Sequence, residues 1–163
     1  LSDVDFPDVD LEGYSYRHMK RGEEDKLAWL QNLCFAESWG YNPNTGDDIT
    51  YHTNLTNSYP EDVIWACEDE KPIAYCWTKM ELSKDRTEKE VRGRIYMIGV
   101  DPARRGRGIG RRVLLVGLRY LKSKGVETVK LTADSENAAA HALYHSLGFK
   151  VQASSLWYEK SLR

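Results

Sequence analysis

The chain contains no apolar run approaching the roughly 20 residues that span a bilayer, and its opening residues through Glu12 are acidic and lack an apolar core. Neither a membrane helix nor a secretory leader is therefore expected. Cysteine is scarce: Cys34, Cys67 and Cys76 are odd in number and show no Cys-x-x-Cys or Cys/His spacing. This argues against a disulfide framework and against a structural zinc site, and no metal is expected. Three buried thiols in a reducing, cytoplasmic protein are the simpler reading. Repeats, low-complexity tracts and interdomain linkers are also missing, so residues 1–163 are expected to form a single domain, with 1–13 a flexible or edge lead-in. Charge of one sign is not in excess, with 23 Lys and Arg against 25 Asp and Glu, a formal net charge of -2. That balance gives no reason to expect a nucleic-acid or membrane partner; a monomer or homodimer is expected.

What remains is ordinary in bulk and uneven in distribution. Hydrophobic residues make up 41% and charged residues 29% of 163 positions, a length sufficient for a sizeable core. Arg92, Arg94, Arg104, Arg105, Arg107, Arg111 and Arg112 crowd into one short stretch, which is either a solvated face or the footprint of a polyanion.

Periodicity predicts a strand over 14–19 and a helix opened by Gly22-Glu23-Glu24, with Leu27, Leu30, Leu33 and Cys34 at helical spacing. Turn formers fill 39–48, and a weaker helix is expected over 49–57. Paired strands over 63–67 and 73–80 precede a charged loop at 83–90. Residues 94–100 read as a buried strand that stops at Asp101-Pro102. A helix follows, striped by Ile109, Val113, Leu114, Gly117, Leu118 and Leu121, with Gly125 at its C-cap. A buried strand over 126–133, an alanine-rich helix over 137–147 closed by Gly148, and a strand over 157–160 complete the chain. The order β-α-α-β-β-β-α-β-α-β defines an α/β chain, a mixed sheet with helices on its faces.

Between the best strand and the best helix lies Arg105-Gly106-Arg107-Gly108-Ile109-Gly110. Glycines there permit positive φ and close backbone approach. A helix N-terminus presents free N–H groups and favours negative charge, and rim arginines add bidentate phosphate contacts. The segment fits a diphosphate cradle; the plainer alternative is a strand-to-helix turn with solvated arginines. A Walker loop is excluded because no Gly-Lys-Ser/Thr follows. A dinucleotide fingerprint is excluded because the glycines alternate and Asp101-Pro102-Ala103 separates them from the strand.

These residues resemble the Arg/Gln-x-x-Gly-x-Gly/Ala signature of the GNAT superfamily of N-acetyltransferases. A second segment, Asn137 through Phe149 with Leu143, Tyr144 and Gly148, resembles that family's Asn-x-x-Ala-x-x-Leu-Tyr-x-x-x-Gly-Phe signature. Within the family, Tyr75-Cys76-Trp77-Thr78-Lys79, residues 93–102 and residues 144–149 are most similar to the C-terminal half of the mycothiol synthases, which carry two such domains in tandem and acetylate an amine on a sugar–cysteine conjugate.

The resemblance implies the acyl-CoA N-acyltransferase fold and acetyl-CoA (CoA) as cofactor. It implies that backbone groups of Met97, Ile98, Gly99 and Val100 hold the pantetheine arm as an added strand, with an N–H near Ile98 or Gly99 as oxyanion donor. Gly99 is consistent with a bulge there. Arg105, Gly106, Arg107, Gly108, Ile109, Gly110 and Arg111 are the expected diphosphate contacts, and Asn137 fits either a pantetheine contact or an N-cap. Tyr144 matches the family's proton donor to the departing thiolate, the alternative being a packing role. The mycothiol synthases carry a glutamate base where this chain has Arg94, which cannot accept a proton at neutral pH. Glu37, His52, Tyr96 and Glu81 are the visible substitutes, with Glu37 carried alongside Tyr144 as a catalytic residue, and Arg94 is free to bind an acidic substrate group instead. Trp39 and Tyr41 either stack on an acceptor or anchor their loop. The activity so implied is acetyl transfer to the primary amine of a small molecule. Its rivals are acetylation of protein N-termini or lysines, an idle acyl-CoA-binding module and, through the arginine cluster, nucleic-acid binding.

Overall fold

A computed structural model of the chain describes residues 13–38, 40–81, 91–156, 158 and 160–162. The lead-in through residue 12, Trp39, the expected charged loop at 83–90, and Trp157 and Glu159 of the expected last strand lie outside them. The described residues fall into two compact units that divide between Thr132 and Ala133.

The first unit is built on a hairpin of β2 (Val63–Glu68) and β3 (Lys71–Glu81). Asp69 and Glu70 join them with φ of 47° and 64°, the two consecutive left-handed residues of a type I′ turn. A short β1 (Ser15–His18) adds antiparallel to β2, and β4 (Arg92–Val100) adds antiparallel to β3. β5 (Thr128–Lys130) then pairs parallel to β4, giving a mixed sheet in the order β1-β2-β3-β4-β5.

Alternation along β2 and β3 sorts the side chains onto two faces. Val63, Trp65, Cys67, Tyr75 and Trp77 share a core with Leu27, Leu30 and Cys34 of α1 (Glu24–Phe35) and Ile49 of α2 (Gly46–Thr53). On the other face, Cys76 and Thr78 lie against Gly117 of α3 (Ile109–Ser123), whose buried stripe is Ile109, Val113, Leu114, Leu118 and Leu121. The sequence expectation for α2 is shifted: the helix begins at Gly46, because Thr45 and Asp48 form a reciprocal capping box inside what reads as a loop. Tyr41 anchors that loop. Its hydroxyl donates to Asn32 Oδ1 at 2.8 Å, its ring stacks on Phe35, and Asn44 bonds back to both Asn32 and Gln31.

In the second unit, α4 (Ala138–Ser146) is capped by Asn137, whose side chain accepts from Ala140 N–H. Residues 151–156, and Tyr158 and Lys160, carry no regular structure, so the described residues contain no counterpart of the expected final strand.

Gly99 of β4 is packed closely by Tyr75 of β3 and Cys34 of α1. A Cβ there would lie 2.7 Å from Tyr75 Cε1 and 3.0 Å from Cys34 Sγ. Gly99→Ala should therefore overpack the core and cost about 1–3 kcal/mol, read as a lowered midpoint in thermal or urea denaturation; an unchanged midpoint would contradict this packing.

Candidate active site

Strand β4 is committed on one side only. It pairs with β3 along its length, but with β5 only through Arg92–Thr128, Gly93–Val129 and Arg94–Lys130. From Ile95 to Val100 no strand pairs with its β5 side among the described residues. Backbone groups on that side are thus available to an extended ligand, as at any unpaired edge. The bulge anticipated at Gly99 occurs instead at Tyr96: Trp77 faces Met97 and Thr78 faces Ile95, leaving Tyr96 as the extra residue. Gly99 has its own reason, the close approach of Tyr75 and Cys34.

At its far end, β4 runs into a single turn over Pro102–Arg104, capped by Asp101, whose carboxylate accepts from Ala103 N–H. Gly106 and Gly108 follow with φ of 77° and 74°, and a Cβ at either would meet nothing within 4 Å. Their role is conformational, since a left-handed backbone at Gly108 opens α3 with no side chain across its first N–H groups. The arginines divide by partner. Arg104 pairs with Glu68 on β2. Arg105 donates through Nη2 to Cys34 O at 2.8 Å and through Nε to Val100 O at 3.2 Å, and its backbone N–H reaches Pro102 O. Arg105 therefore clasps the end of α1 to the end of β4. Arg107 lies exposed on the turn, and Arg112 donates to Arg107 O at 3.5 Å.

Around the bulge, the side chains of α2, β3 and β4 form a cluster. The Tyr96 ring lies 4.9 Å from that of Trp77, and His52 on α2 sits 6.2 Å from Tyr96 and 6.4 Å from Trp77. His52 Nδ1 is buried with no hydrogen-bond partner among the described residues. Lys79 Nζ lies 3.8 Å from the Tyr96 ring centroid and 5.2 Å from that of Trp77. Burial, and then the charge of Arg94, hold the Lys79 ammonium below the usual lysine range. Arg94, its cross-strand partner, reaches Thr132 Oγ1 at 3.5 Å, so its side chain bridges the mouth of the parted strands. Of the base candidates, the structure brings His52 and Tyr96 together. Glu81 pairs across the strands with Arg92. Glu37 lies in the exposed turn after α1, and its carboxylate makes no hydrogen bond or ion pair among the described residues. The Lys79–Tyr96–Trp77 stack is the feature sequence reading missed. Its signal was the spacing of Trp77 and Lys79, which alternation puts on one face.

In the second unit, Tyr144 sits three residues before the C-cap of α4. Phe149 N–H bonds Tyr144 O at 3.1 Å and Gly148 N–H bonds His145 O at 3.0 Å, the paired bonds of a Schellman motif. That motif brings the Phe149 ring to 5.9 Å from Tyr144. The Leu-Tyr-x-x-x-Gly-Phe pattern is thus a helix terminator that also buttresses its tyrosine. The three cysteines are free and buried, with burial pushing Cys34 and Cys76 each up to about 12, which leaves both as inert thiols.

An unpaired strand edge ending at a glycine turn that bares a helix N-terminus fits an extended cofactor with a diphosphate at one end, and so fits acetyl-CoA. This is the architecture of acyl-CoA N-acyltransferases. The chain shares its fold with an aminoglycoside acetyltransferase from an uncultured soil metagenomic sample, in complex with sisomicin (TM-score 0.70, 18% identity, 93% of this chain and 97% of that one). It also resembles the aminoglycoside N-acetyltransferase AAC(6')-Iy in complex with CoA (TM-score 0.70, 16% identity, 90% and 94%). The acetyltransferase (GNAT) family model matches residues 25–149, and the chain belongs to that family. Mycothiol acetyltransferases of Kytococcus sedentarius and Thermobispora bispora are 34% identical over 160 residues and 38% over 153, spanning 94% and 91% of this chain. The chain spans about half the length of these relatives, 51% and 50%.

Because Gly108 opens α3 at φ 74°, Gly108→Ala should cost about 1–2 kcal/mol of stability from left-handed strain. It should also weaken CoA binding, measured by calorimetric titration; full affinity in the variant would remove the turn from the site.

Proposed function

We propose that this chain is an acetyl-CoA-dependent N-acetyltransferase acting on the primary amine of a small molecule, with residues 1–163 as one domain. The observation that carries this reading is the parting of β4 from β5 beside the glycine turn. Relatives named as mycothiol acetyltransferases, 34% and 38% identical to this chain, support a small-molecule acceptor over a protein one. Acetyl-CoA would supply an acetyl group activated as a thioester.

The chain's own residues account for the remaining work. Ile98, Gly99 and Val100 lie on the unpaired edge that would hold the pantetheine arm, and Gly106, Arg107, Gly108, Ile109, Gly110 and Arg111 form the turn that would hold the diphosphate. Arg105 acts by positioning, since its guanidinium is bonded to Cys34 O and Val100 O. Asn137 uses its carbonyl oxygen to cap α4, which leaves its amide N–H donors for a ligand. Tyr144, held by the Schellman turn, keeps a phenolic proton for the departing thiolate; phenol near ~10 and thiol near ~8.5 exchange a proton without extreme tuning. An amine of pKa about 8–10 must shed its proton before attack. His52 is the best supported acceptor for it, since its buried Nδ1 is unpartnered and its ring flanks the β4 bulge.

Thiol release from acetyl-CoA across amino sugars, amino acids, polyamines and peptides tests the assignment. Tyr144→Phe should lower kcat by about 10²–10³-fold while CoA affinity stays within about twofold, and His52→Gln should lower kcat/KM by about 10²-fold. Turnover confined to peptides would move the acceptor to proteins. CoA binding with no turnover on any amine would make the chain a binding module.

A further inference from the structure

Lys79 and Arg94 stand directly opposite one another on β3 and β4. Like charges at such a position are some 5 Å apart at Cβ and repel. The Tyr96 and Trp77 rings take up part of that cost at the Lys79 ammonium, but no anion does so at short range. Neither side chain has a carboxylate within ion-pair distance among the described residues, and Arg94 Nε is buried without a hydrogen-bond partner. The acid that acts on Lys79 through space is Asp62, whose two oxygens already accept from Tyr59 N–H and the Tyr120 hydroxyl. Tyr96 and Trp77 line the Lys79 side of the pair, and buried Trp77 keeps water from that side of the ammonium. Arg94 reaches Thr132 across the mouth of the parted strands, so the two charges stand beside the edge where acetyl would be delivered.

We propose that Lys79 and Arg94 form an oxyanion-binding subsite, and that the acceptor is an amine that also carries a carboxylate or phosphate. This rests on the acetyltransferase reading and names the class of its acceptor. A guanidinium with an unbonded Nε offers a fork to a two-oxygen anion, and the adjacent ammonium adds a point charge. The pair disfavours a bare cation: polyamines and neutral-bodied amines bring only positive charge to it, whereas an amphoteric acceptor brings its own counter-charge. The same field lowers the pKa of a nearby ammonium, which eases the deprotonation that a glutamate at position 94 would otherwise assist.

The test uses the full chain and matched acceptors: β-alanine with β-alaninamide, L-leucine with L-leucinamide, O-phosphoethanolamine with ethanolamine, and spermidine. Each is titrated calorimetrically into the CoA-saturated protein and assayed for thiol release from acetyl-CoA. The anionic member of at least one pair should bind about tenfold or more tightly than its neutral partner, with the difference in turnover carried by KM; the carboxylate and phosphate pairs tell the two anions apart. Arg94→Gln and Lys79→Met should each collapse that ratio towards one, and Arg94→Glu should reverse it in favour of spermidine, an inversion that a merely structural residue would not produce. Equal binding within every pair, or a ratio unchanged in all three variants, overturns the subsite. So does the failure of every anionic acceptor to bind. Anion binding that behaves as stated with no thiol release from any amine leaves the subsite standing and removes the acetyltransferase reading.

Discussion

Strand β4 has to satisfy β3 along its whole length while meeting β5 at three residues only. A strand in a sheet interior normally spends both edges on its neighbours; here one edge is released from Ile95 onward, and the rest of the site is arranged around that release. The bulge at Tyr96 turns an aromatic ring towards Trp77 and His52 at the start of the released stretch. Gly99 lets α1 press against the same strand near its end. Arg105 ties the two together by bonding the last carbonyl of the strand and a carbonyl in the last turn of the helix.

The arginines that crowd residues 92–112 serve three different physical purposes. Arg104 and Arg105 are structural clasps, held by Glu68 and by backbone carbonyls. Arg107 stands exposed on the glycine turn, where a diphosphate would meet it. Arg94 faces Lys79 across the strands and reaches the opposite arm of the fork. A single basic cluster in the sequence is thus divided in space, with Arg94 near one end of β4, Arg107 on the turn beyond the other, and the clasps tying that turn down. Trp77, fully buried beneath Lys79, gives that ammonium a low-dielectric side.

Much of this is legible in the order of residues alone. The spacing of apolar residues locates α1, α3 and strands β2 to β4, because burial on one face imposes a period of 3.6 or 2 on the side chains. The two glycine-containing signatures are legible because they encode local backbone: Gly108 starts α3 from a left-handed conformation, and Gly148 ends α4 in a Schellman turn that seats Phe149 on Tyr144. Boundaries are less legible. α2 starts earlier than its pattern suggests because Thr45 and Asp48 cap each other, and β5 pairs over three residues where a strand over 126–133 is expected.

The sequence by itself determined the strand–turn–helix cradle, the family to which it belongs and the tyrosine-bearing helix end, since each depends on residues near one another in the chain. Only the tertiary structure decided which strand edge is released, that Arg105 is a clasp, that the bulge falls at Tyr96, and that Lys79 and Arg94 oppose each other across β3 and β4. Those relations are set by the register between strands far apart in sequence, and a one-residue bulge shifts that register while leaving no mark in composition or periodicity.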